Sequence, residues 1–291
     1  MDRVLCSNSE IDQIKNILQE YSLEIYAMLK NYDFNSKKTN KVNNSGDNVQ
    51  KLDEQADLIS EAYFRKLNLI YGFISEERDN MVVTNNKGKY IITIDPLDGS
   101  QNLDVGFNVG AIYGIYYTND IKSIKNGRDL IAAGYSIFSS SLQFIFGFNN
   151  QVNFYHYNND WYLFKSNHQI PEKGKIYSIN EGISEYFYDD MKEYLKKLKG
   201  RSIRWMCCMV TDVHRNLLEG GCFIYPENHK SKNGKLRLIY ELYPMAFLWE
   251  LVGGNAYLNL KKDKILDQPF PLNNLHQKNG CFLLGPNESN L

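Results

Sequence analysis

The chain has 291 residues, 43% of them hydrophobic, with 33 Lys and Arg against 34 Asp and Glu and a net charge of −1. This length and apolar content predict one large or two intimate domains with a sizeable core. The balanced charge excludes the strongly basic surface that nucleic-acid binders use, so no nucleic-acid partner is expected. Apolar runs such as 222–225 are far shorter than the roughly 18 residues of a membrane span, so no membrane partner is expected either.

Cysteine usage and the chain ends indicate a cytoplasmic location. The five cysteines are odd in number and contain no C-x-x-C pair, which is typical of reduced thiols rather than of disulfides or a zinc site. The first ten residues lack the charged-then-apolar pattern of a signal peptide. The tail Ser289-Asn290-Leu291 is similar to a peroxisomal or glycosomal address, but Asn in the middle position fits that address poorly, so the cytoplasm is expected.

Two amphipathic helices are predicted at the start of the chain. Apolar residues at three- and four-residue spacing indicate a helix over 9–32, with Ser9 as its N-cap, and a second helix from Leu52 to Leu67. The polar segment 33–47 between them predicts a loop.

Strands follow, and two of them end at carboxylates. The strand predicted at 69–74 leads into Ser75-Glu76-Glu77, and the strand predicted at 90–94 leads into the hexapeptide DPLDGS at 95–100. Further strands at 109–117, 132–138 and 142–148 predict a large sheet that closes near the Asn- and Tyr-rich segment 149–168.

A domain boundary is predicted near residue 170, which separates an N-terminal domain (1–170) from a C-terminal domain (171–291). The second half alternates between helical and strand patterns, as in a layered α/β domain. Its predicted elements are strand 176–180, helix 184–198, helix 209–219, strand 222–225, strand 236–240, helix 244–252 and two terminal strands.

The hexapeptide at 95–100 predicts metal-assisted phosphate chemistry. Pro96 fixes the backbone between Asp95 and Asp98, and neighbouring carboxylates repel each other unless a cation joins them. With no His or Cys beside them, these oxygen ligands favour Mg²⁺ or Mn²⁺ over Zn²⁺. Gly99 and Ser100 add amides and a hydroxyl for an anion. An ordinary Asp-Gly turn is the alternative, but a second strand ending in two glutamates favours the metal.

These motifs resemble the magnesium-dependent sugar phosphatases, the superfamily of inositol monophosphatases and fructose bisphosphatases, and most closely class I fructose-1,6-bisphosphatase. The resemblance implies a layered α-β-α-β-α sandwich of two intimately packed domains. It also implies hydrolysis of the 1-phosphate of fructose 1,6-bisphosphate in gluconeogenesis, with two or three Mg²⁺ ions, or Mn²⁺, per subunit of a homotetramer. It is carried by GDNVQKLD (46–53), ISEE (74–77), KYIITIDPLDGSQNLD (89–104), GRDLIAAGY (127–135), GKIYSINEG (174–182), MVTDVHRNLLEGG (209–221) and NGKLRLIYELYPMAF (233–247).

The resemblance assigns a role to each matching residue. It implies metal binding by Glu76, Glu77, Asp95, the Leu97 carbonyl, Asp98, Glu241 and the loop residue Asp47. It implies catalytic roles for Glu77, Asp53 and Asp98, with Glu77 and Asp53 taking a proton from the attacking water. It implies substrate binding by Gly99, Ser100, Asn180, Met209, Tyr225, Lys235 and Arg237, and by Arg204 of a neighbouring subunit. Without the resemblance, Lys235 and Arg237 fit a solvated basic hairpin that turns at Asn233-Gly234.

Several positions depart from the family pattern. Ile183 and Trp205 stand where the family usually has tyrosines directed at the distal phosphate, and Gln101 and Cys207 replace small residues of the sugar pocket. Sedoheptulose 1,7-bisphosphate therefore stays an alternative substrate, followed by inositol-type monophosphates, and a catalytically silent metabolite-binding protein is the alternative from another class.

Departures also affect the family's AMP pocket. Lys89 and Tyr90 match its far side, but Tyr117 replaces a basic residue and no matching helix precedes residue 9. AMP inhibition is therefore expected to be weak or absent.

Overall fold

A computed structural model describes residues 7–31 and 51–288 of the chain. Its helices are α1 Asn8–Lys30, α2 Lys51–Lys66, α3 Asp189–Lys197, α4 Met209–Glu219 and α5 Tyr243–Leu251. Its strands are β1 Ile70–Ser75, β2 Val82–Val83, β3 Tyr90–Asp98, β4 Val109–Tyr117, β5 Leu130–Phe138, β6 Leu142–Phe148, β7 Gln151–Asn158, β8 Asp160–Lys165, β9 Ile176–Ser178, β10 Ser202–Ile203, β11 Cys222–Tyr225, β12 Leu236–Arg237, β13 Asn255–Tyr257, β14 Lys278–Asn279 and β15 Cys281–Leu284. None of these helices has the length and apolar content to cross a bilayer.

Two sheets organise the molecule. The larger sheet has eight strands in the order β2-β1-β3-β4-β5-β6-β7-β8, and only the pair β1–β3 is parallel. The smaller sheet has five strands in the order β10-β9-β11-β15-β13. A separate pair, β12 and β14, runs antiparallel. The parallel pair brings the carboxyl ends of β1 and β3 to the same edge of the large sheet.

Helices and sheets alternate in five layers. Helices α1 and α2 bury Leu18 and Phe64 against one face of the large sheet. Helices α4 and α5 lie between the two sheets and contribute Val213 and Trp249 to the central core. Helix α3 covers the outer face of the small sheet with Met191. This α-β-α-β-α arrangement confirms the predicted fold class.

The central core crosses the predicted domain boundary. It joins Ile112 of β4 to Leu217 of α4 in one cluster of buried side chains. The division into domains at residue 170 stays a prediction.

Three local predictions outside the acidic site are wrong. Helix α1 begins at Asn8 with Ser7, not Ser9, as its N-cap. The helix predicted at 184–198 is interrupted, because a 3₁₀ helix over Glu181–Tyr186 ends before α3 begins. The segment 149–168 does not close the sheet but extends it by β7 and β8, since Asn149 and Asn150 adopt the positive φ angles of a tight hairpin turn.

Candidate active site

The acidic residues of the site come from the ends of the two parallel strands. Glu76 and Glu77 directly follow β1, and Asp95 and Asp98 lie at the end of β3. Ser75 pairs with Ile94, and the Glu76 amide donates a hydrogen bond of 3.1 Å to the Ile94 carbonyl. Because neighbouring parallel strands end at the same edge, the four carboxylates meet there.

A bulge in β3 brings Asp95 and Asp98 together. Residues three apart in a regular strand point to opposite faces. Here Asp95 pairs with Ile112 and Asp98 with Gly110, so β3 contains one extra residue between the two pairs. The Asp95 carboxylate accepts the Leu97 amide at 3.0 Å.

Glu241 joins these carboxylates through a local change of helix type. The strand predicted at 236–240 ends at Arg237, and Leu238–Leu242 form a π-helix that leads into α5. The Glu241 side chain accepts the Arg237 amide at 2.5 Å, which closes this turn and fixes the carboxylate. Single π-helical turns recur at functional sites.

Asp95, Asp98 and Glu241 form a compact buried cluster. One carboxylate oxygen from each lies within 4.8 Å of the other two. Burial is the largest cause that raises their pKa values, well above the ordinary range for Asp95 and Glu241 and to about 6 for Asp98. Three buried acids at this spacing suit a hard divalent cation, which prefers carboxylate oxygens and relieves their mutual repulsion.

Asp98 also contacts the N-terminus of α4. Its Oδ2 accepts the Val210 amide at 2.7 Å and the Cys208 thiol at 3.1 Å. The amino end of a helix favours a negative charge, so these contacts oppose the effect of burial on the pKa of Asp98.

Glu77 and Asp53 form the second acidic group. Burial, together with the charges of Glu76 and Asp53, raises the pKa of Glu77 to about 8. Asp53 is buried in the first turn of α2, and its carboxylate accepts a hydrogen bond of 3.2 Å from the Ser100 hydroxyl. The helix thus brings Asp53 to the hexapeptide at 95–100.

Gly99 allows the chain to pass close to α4. Its φ is +74°, and a Cβ there would lie 2.7 Å from the Cβ of Cys208. Both the left-handed backbone and this close approach require glycine. The 3₁₀ helix Ser100–Val105 starts immediately afterwards.

The basic residues lie at β12, where Arg237 is in the strand and Lys235 directly precedes it. The hairpin prediction is wrong, because β12 pairs with β14 and not with the residues before Asn233. The predicted turn at Asn233-Gly234 precedes Lys235, and Gly234 has a φ of +70°. An Arg237 guanidinium nitrogen lies 3.0 Å from a carboxylate oxygen of Glu76, so Arg237 joins the basic side to the acidic side.

A cavity of about 400 Å³ joins the two sides. Apart from Arg204, every described residue predicted for the site lines it: Asp53, Glu76, Glu77, Asp95, Leu97, Asp98, Gly99, Ser100, Asn180, Met209, Tyr225, Lys235, Arg237 and Glu241. Arg204 is exposed and donates a hydrogen bond to the Ile203 carbonyl. Asp47 and the tail 289–291 lie outside the described residues. The individual roles of these residues stay predictions.

Four further lining residues were not predicted: Asn102, Cys208, Phe223 and Leu236. Asn102 and Leu236 lie next to predicted residues in the sequence, so their position beside the motifs could have identified them. Phe223 reaches the cavity by packing against a residue distant in sequence, since its ring stacks on Trp205 with centroids 6.2 Å apart. No local sequence pattern predicts such a contact. Ile183 does not line this cavity and packs against the core beneath α3.

Comparisons with known proteins agree with this architecture. The family model described as "Fructose-1-6-bisphosphatase, N-terminal domain" matches residues 34–169, and the C-terminal domain model of the same family matches residues 170–289. The class 1 fructose-1,6-bisphosphatase of Sulfurihydrogenibium sp. is 39% identical over 259 residues, which cover 85% of this chain and 79% of that protein. The cytosolic fructose-1,6-bisphosphatase of Beta vulgaris is 35% identical over 263 residues, covering 83% and 75%.

A solved structure extends the similarity to the fold. The holo form of Leishmania major fructose-1,6-bisphosphatase superposes with a TM-score of 0.90 at 28% identity, covering 98% of this chain and 93% of that chain. Both halves of the chain match one family, and a relative at 39% identity covers most of its length. The chain therefore belongs to the fructose-1,6-bisphosphatase family.

Proposed function

We propose that this chain hydrolyses the 1-phosphate of D-fructose 1,6-bisphosphate to fructose 6-phosphate and inorganic phosphate. The observation that carries the proposal is the single cavity in which a buried carboxylate cluster faces Lys235 and Arg237. A substrate with two phosphates needs two such regions, one for the reacting phosphate beside metal and one for the distal phosphate beside cationic side chains.

The carboxylate cluster fits a divalent metal, which the family implies. Mg²⁺ is the proposed ion, in two or three copies, with Mn²⁺ as a substitute. Glu76, Glu77, Asp95, Asp98 and Glu241 would hold it together with the Leu97 carbonyl and Asp47. When bound, such ions lower the pKa of water and neutralise phosphoryl oxygens.

Glu77 and Asp53 are proposed to handle the proton of the attacking water. In the metal-free protein, burial and the charges of Glu76 and Asp53 raise the pKa of Glu77 to about 8, so its carboxyl can hold a proton near neutral pH. Asp53 contributes to this shift through its charge and is oriented by the Ser100 hydroxyl. We propose that the two carboxylates share this proton.

Hydrogen-bond donors around the cavity would position the substrate. Ser100, Gly99 and Arg237 are proposed to hold the reacting phosphate, and Met209 lines the cavity at the start of α4. Asn180, Tyr225 and Lys235 are proposed to hold the sugar and the distal phosphate.

Arg204 supports a homotetramer in this proposal. It does not line the cavity of its own chain, although its neighbour Trp205 does. The family resemblance suggests that its exposed guanidinium completes the distal site of a second copy. Cytoplasmic location is proposed as well, since relatives such as that of Beta vulgaris are named as cytosolic.

Weak or absent AMP inhibition is part of the proposal. The Glu10 carboxylate lies 3.1 Å from the Lys89 ammonium and accepts a hydrogen bond of 2.7 Å from the Tyr90 hydroxyl. The Tyr117 ring packs edge-on against Tyr90 at 5.1 Å. A carboxylate thus already occupies the donors that would meet a nucleotide phosphate.

Sedoheptulose 1,7-bisphosphate is the second candidate substrate. The observation that favours it is Trp205, whose indole packs on Phe223 and Tyr225 in the distal half of the cavity. The loss of a tyrosine hydroxyl there weakens the selection for one distal phosphate position.

A phosphate-release panel tests the proposal. Purified protein with Mg²⁺ receives fructose 1,6-bisphosphate, sedoheptulose 1,7-bisphosphate or inositol 1-phosphate, with and without EDTA. We expect release from the fructose ester, abolished by EDTA. Asp53→Asn should lose activity while its circular-dichroism spectrum stays unchanged. Glu24→Gln, at an exposed site on α1, should keep the wild-type activity. Release from sedoheptulose ester alone would select the second candidate, and no release from any ester would refute phosphatase activity.

A further inference from the structure

Helix α2 carries three acids on one face. Asp53, Asp57 and Glu61 are spaced four residues apart, so they lie in a row along the helix. The first contacts Ser100 at the cavity. The other two face the turn that follows β1, at the level of Arg78.

Arg78 connects this row to the turn bearing Glu76 and Glu77. Its Nε lies 2.6 Å from Asp57 Oδ2, and its Nη1 lies 2.7 Å from Glu61 Oε2. The side chain of Asp57 is only 6% exposed, so this ion pair is shielded from solvent. The rigid guanidinium fork bonds two carboxylates at once, which fixes their relative position.

Arg78 is itself held on the strand side. Its amide donates a hydrogen bond of 3.2 Å to the Ser75 carbonyl, which closes the turn around Glu76 and Glu77. Its guanidinium lies 5.1 Å from the centre of the Phe73 ring. The guanidinium of Arg78 therefore holds α2 in a fixed position relative to β1.

We propose that Arg78 is a positioning residue that holds α2 against the end of β1, so that Asp53 stays in the cavity beside Ser100 and Glu77. The inference rests on the proposed function, because it assigns importance to the placement of Asp53 and Glu77 in that reaction.

The charges at this junction explain why a tether is needed. The charges of Asp53 and Asp57 act on Glu77, and carboxylates at short range repel each other whenever they are ionised. Apolar contacts dock the whole of α2, since Leu52 and Ala56 near its start and Phe64 near its end are buried in one cluster. Loss of Arg78 should therefore shift the first turns of α2 relative to β1 while the helix remains docked.

The test compares four variants in the full-length protein. Arg78→Met should lower kcat about 10- to 100-fold, the range expected when a catalytic group shifts by about 1 Å, with KM nearly unchanged. Hydrogen exchange of amides in the first two turns of α2 should speed up. Arg78→Lys should recover part of kcat, since it keeps the charge but not the fork. Arg65→Met is the matched control, because Arg65 pairs with Glu61 on the exposed side and should leave kcat unchanged.

The double variant Arg78→Met with Asp57→Asn separates positioning from charge balance. It removes the uncompensated buried carboxylate, so its thermal stability should return towards wild type. Its kcat should stay low, because the guanidinium that joins Asp57 and Glu61 to the turn after β1 is still missing.

Two outcomes would overturn the inference. Wild-type kcat in the double variant would make Arg78 only a counterion for Asp57, and unchanged exchange in α2 of Arg78→Met would show that no tether exists. Failure of the proposed function can be distinguished from failure of this inference. If the wild-type protein has no phosphatase activity, hydrogen exchange in α2 of Arg78→Met still tests whether Arg78 holds the helix.

Discussion

The carboxylate of Asp98 accepts the main-chain amide of Val210 at 2.7 Å, so one side chain both caps helix α4 and joins the acidic cluster. Asp98→Asn keeps a hydrogen-bond acceptor for this amide but removes the charge. Phosphate release should fall at least about a hundredfold, because a metal ligand supplies several kcal/mol of charge stabilisation. The melting temperature without metal should not fall, since one of three repelling acids is gone.

Asp98→Ala is the matched comparison for this prediction. It removes the charge and the cap together, and losing a cap costs about 0.5–2 kcal/mol of stability. Thermal melting in EDTA should therefore rank Asp98→Asn above Asp98→Ala, while both lack activity. Equal melting temperatures would contradict the capping role of Asp98.

Sequence patterns predict those parts of this site that depend on local order. The helical spacing of apolar residues predicts α1 and α2, and carboxylates at the ends of two strands predict the acidic cluster. The turn at Asn233-Gly234 predicts that Lys235 and Arg237 share a face. Each of these inferences needs only the spacing of apolar residues, the end of a strand or the residues of a turn.

Features built by contacts between distant segments escape such patterns. The π-helix at Leu238–Leu242 follows from a side-chain bond between Glu241 and the Arg237 amide, and its sequence is also compatible with a strand. The ion pairs of Arg78 reach back to α2, 17 and 21 residues earlier in the chain, as shown by its bonds to Glu61 and Asp57. Local sequence gives no sign of either partner.

Lys235 should determine the preference for a second phosphate. It is exposed and lines the cavity three residues after Lys232, which is exposed but does not line it. Lys235→Ala should raise KM for fructose 1,6-bisphosphate about 10- to 100-fold, the cost of a charge-assisted hydrogen bond of about 1.5–3 kcal/mol, and leave kcat nearly unchanged.

Lys232→Ala controls for the general loss of a positive charge on this segment. It should leave both kinetic constants near wild type in the same steady-state assay. A similar rise of KM in both variants would indicate general electrostatic attraction instead of a distal phosphate site at Lys235.

Trp205→Tyr should tighten the distal site. Trp205 lines the cavity and packs on Phe223, so a tyrosine there would keep an aromatic ring and add a hydroxyl. One new neutral hydrogen bond contributes about 0.5–1.5 kcal/mol, which lowers KM for fructose 1,6-bisphosphate about 2- to 10-fold. Ile183→Tyr should have a smaller effect because Ile183 does not line the cavity. An unchanged KM for Trp205→Tyr would contradict the placement of the distal phosphate.

Micromolar AMP should leave the activity of the wild-type protein unchanged. Glu10 pairs with Lys89 and Tyr90, and a nucleotide phosphate would have to displace this carboxylate. Glu10→Gln removes the competing charge and leaves the two donors in place, so it should be at least as sensitive to AMP as the wild type. Activity measured over a range of AMP concentrations checks both, and strong inhibition of the wild type would refute the proposal.

Glu77 should make the metal-free protein less stable as pH rises. Burial, followed by the charges of Glu76 and Asp53, raises the pKa of Glu77 from 4.5 to about 8 in the folded protein. The unfolded chain releases this proton near its ordinary pKa, whereas the folded chain retains it until the pH approaches the raised value. Stability that is present below the ordinary pKa is therefore lost as pH rises through this window.

Thermal melting in EDTA at several pH values between about 5 and 8 measures this loss. Glu77→Gln cannot ionise, so its melting temperature relative to wild type should increase steadily across the window. Mg²⁺ should reduce the difference, because a bound cation favours the ionised carboxylate of the wild type. Glu24→Gln, on the exposed face of α1, should follow the wild type at every pH. A constant difference between Glu77→Gln and wild type would show that Glu77 ionises alike in the folded and unfolded chains.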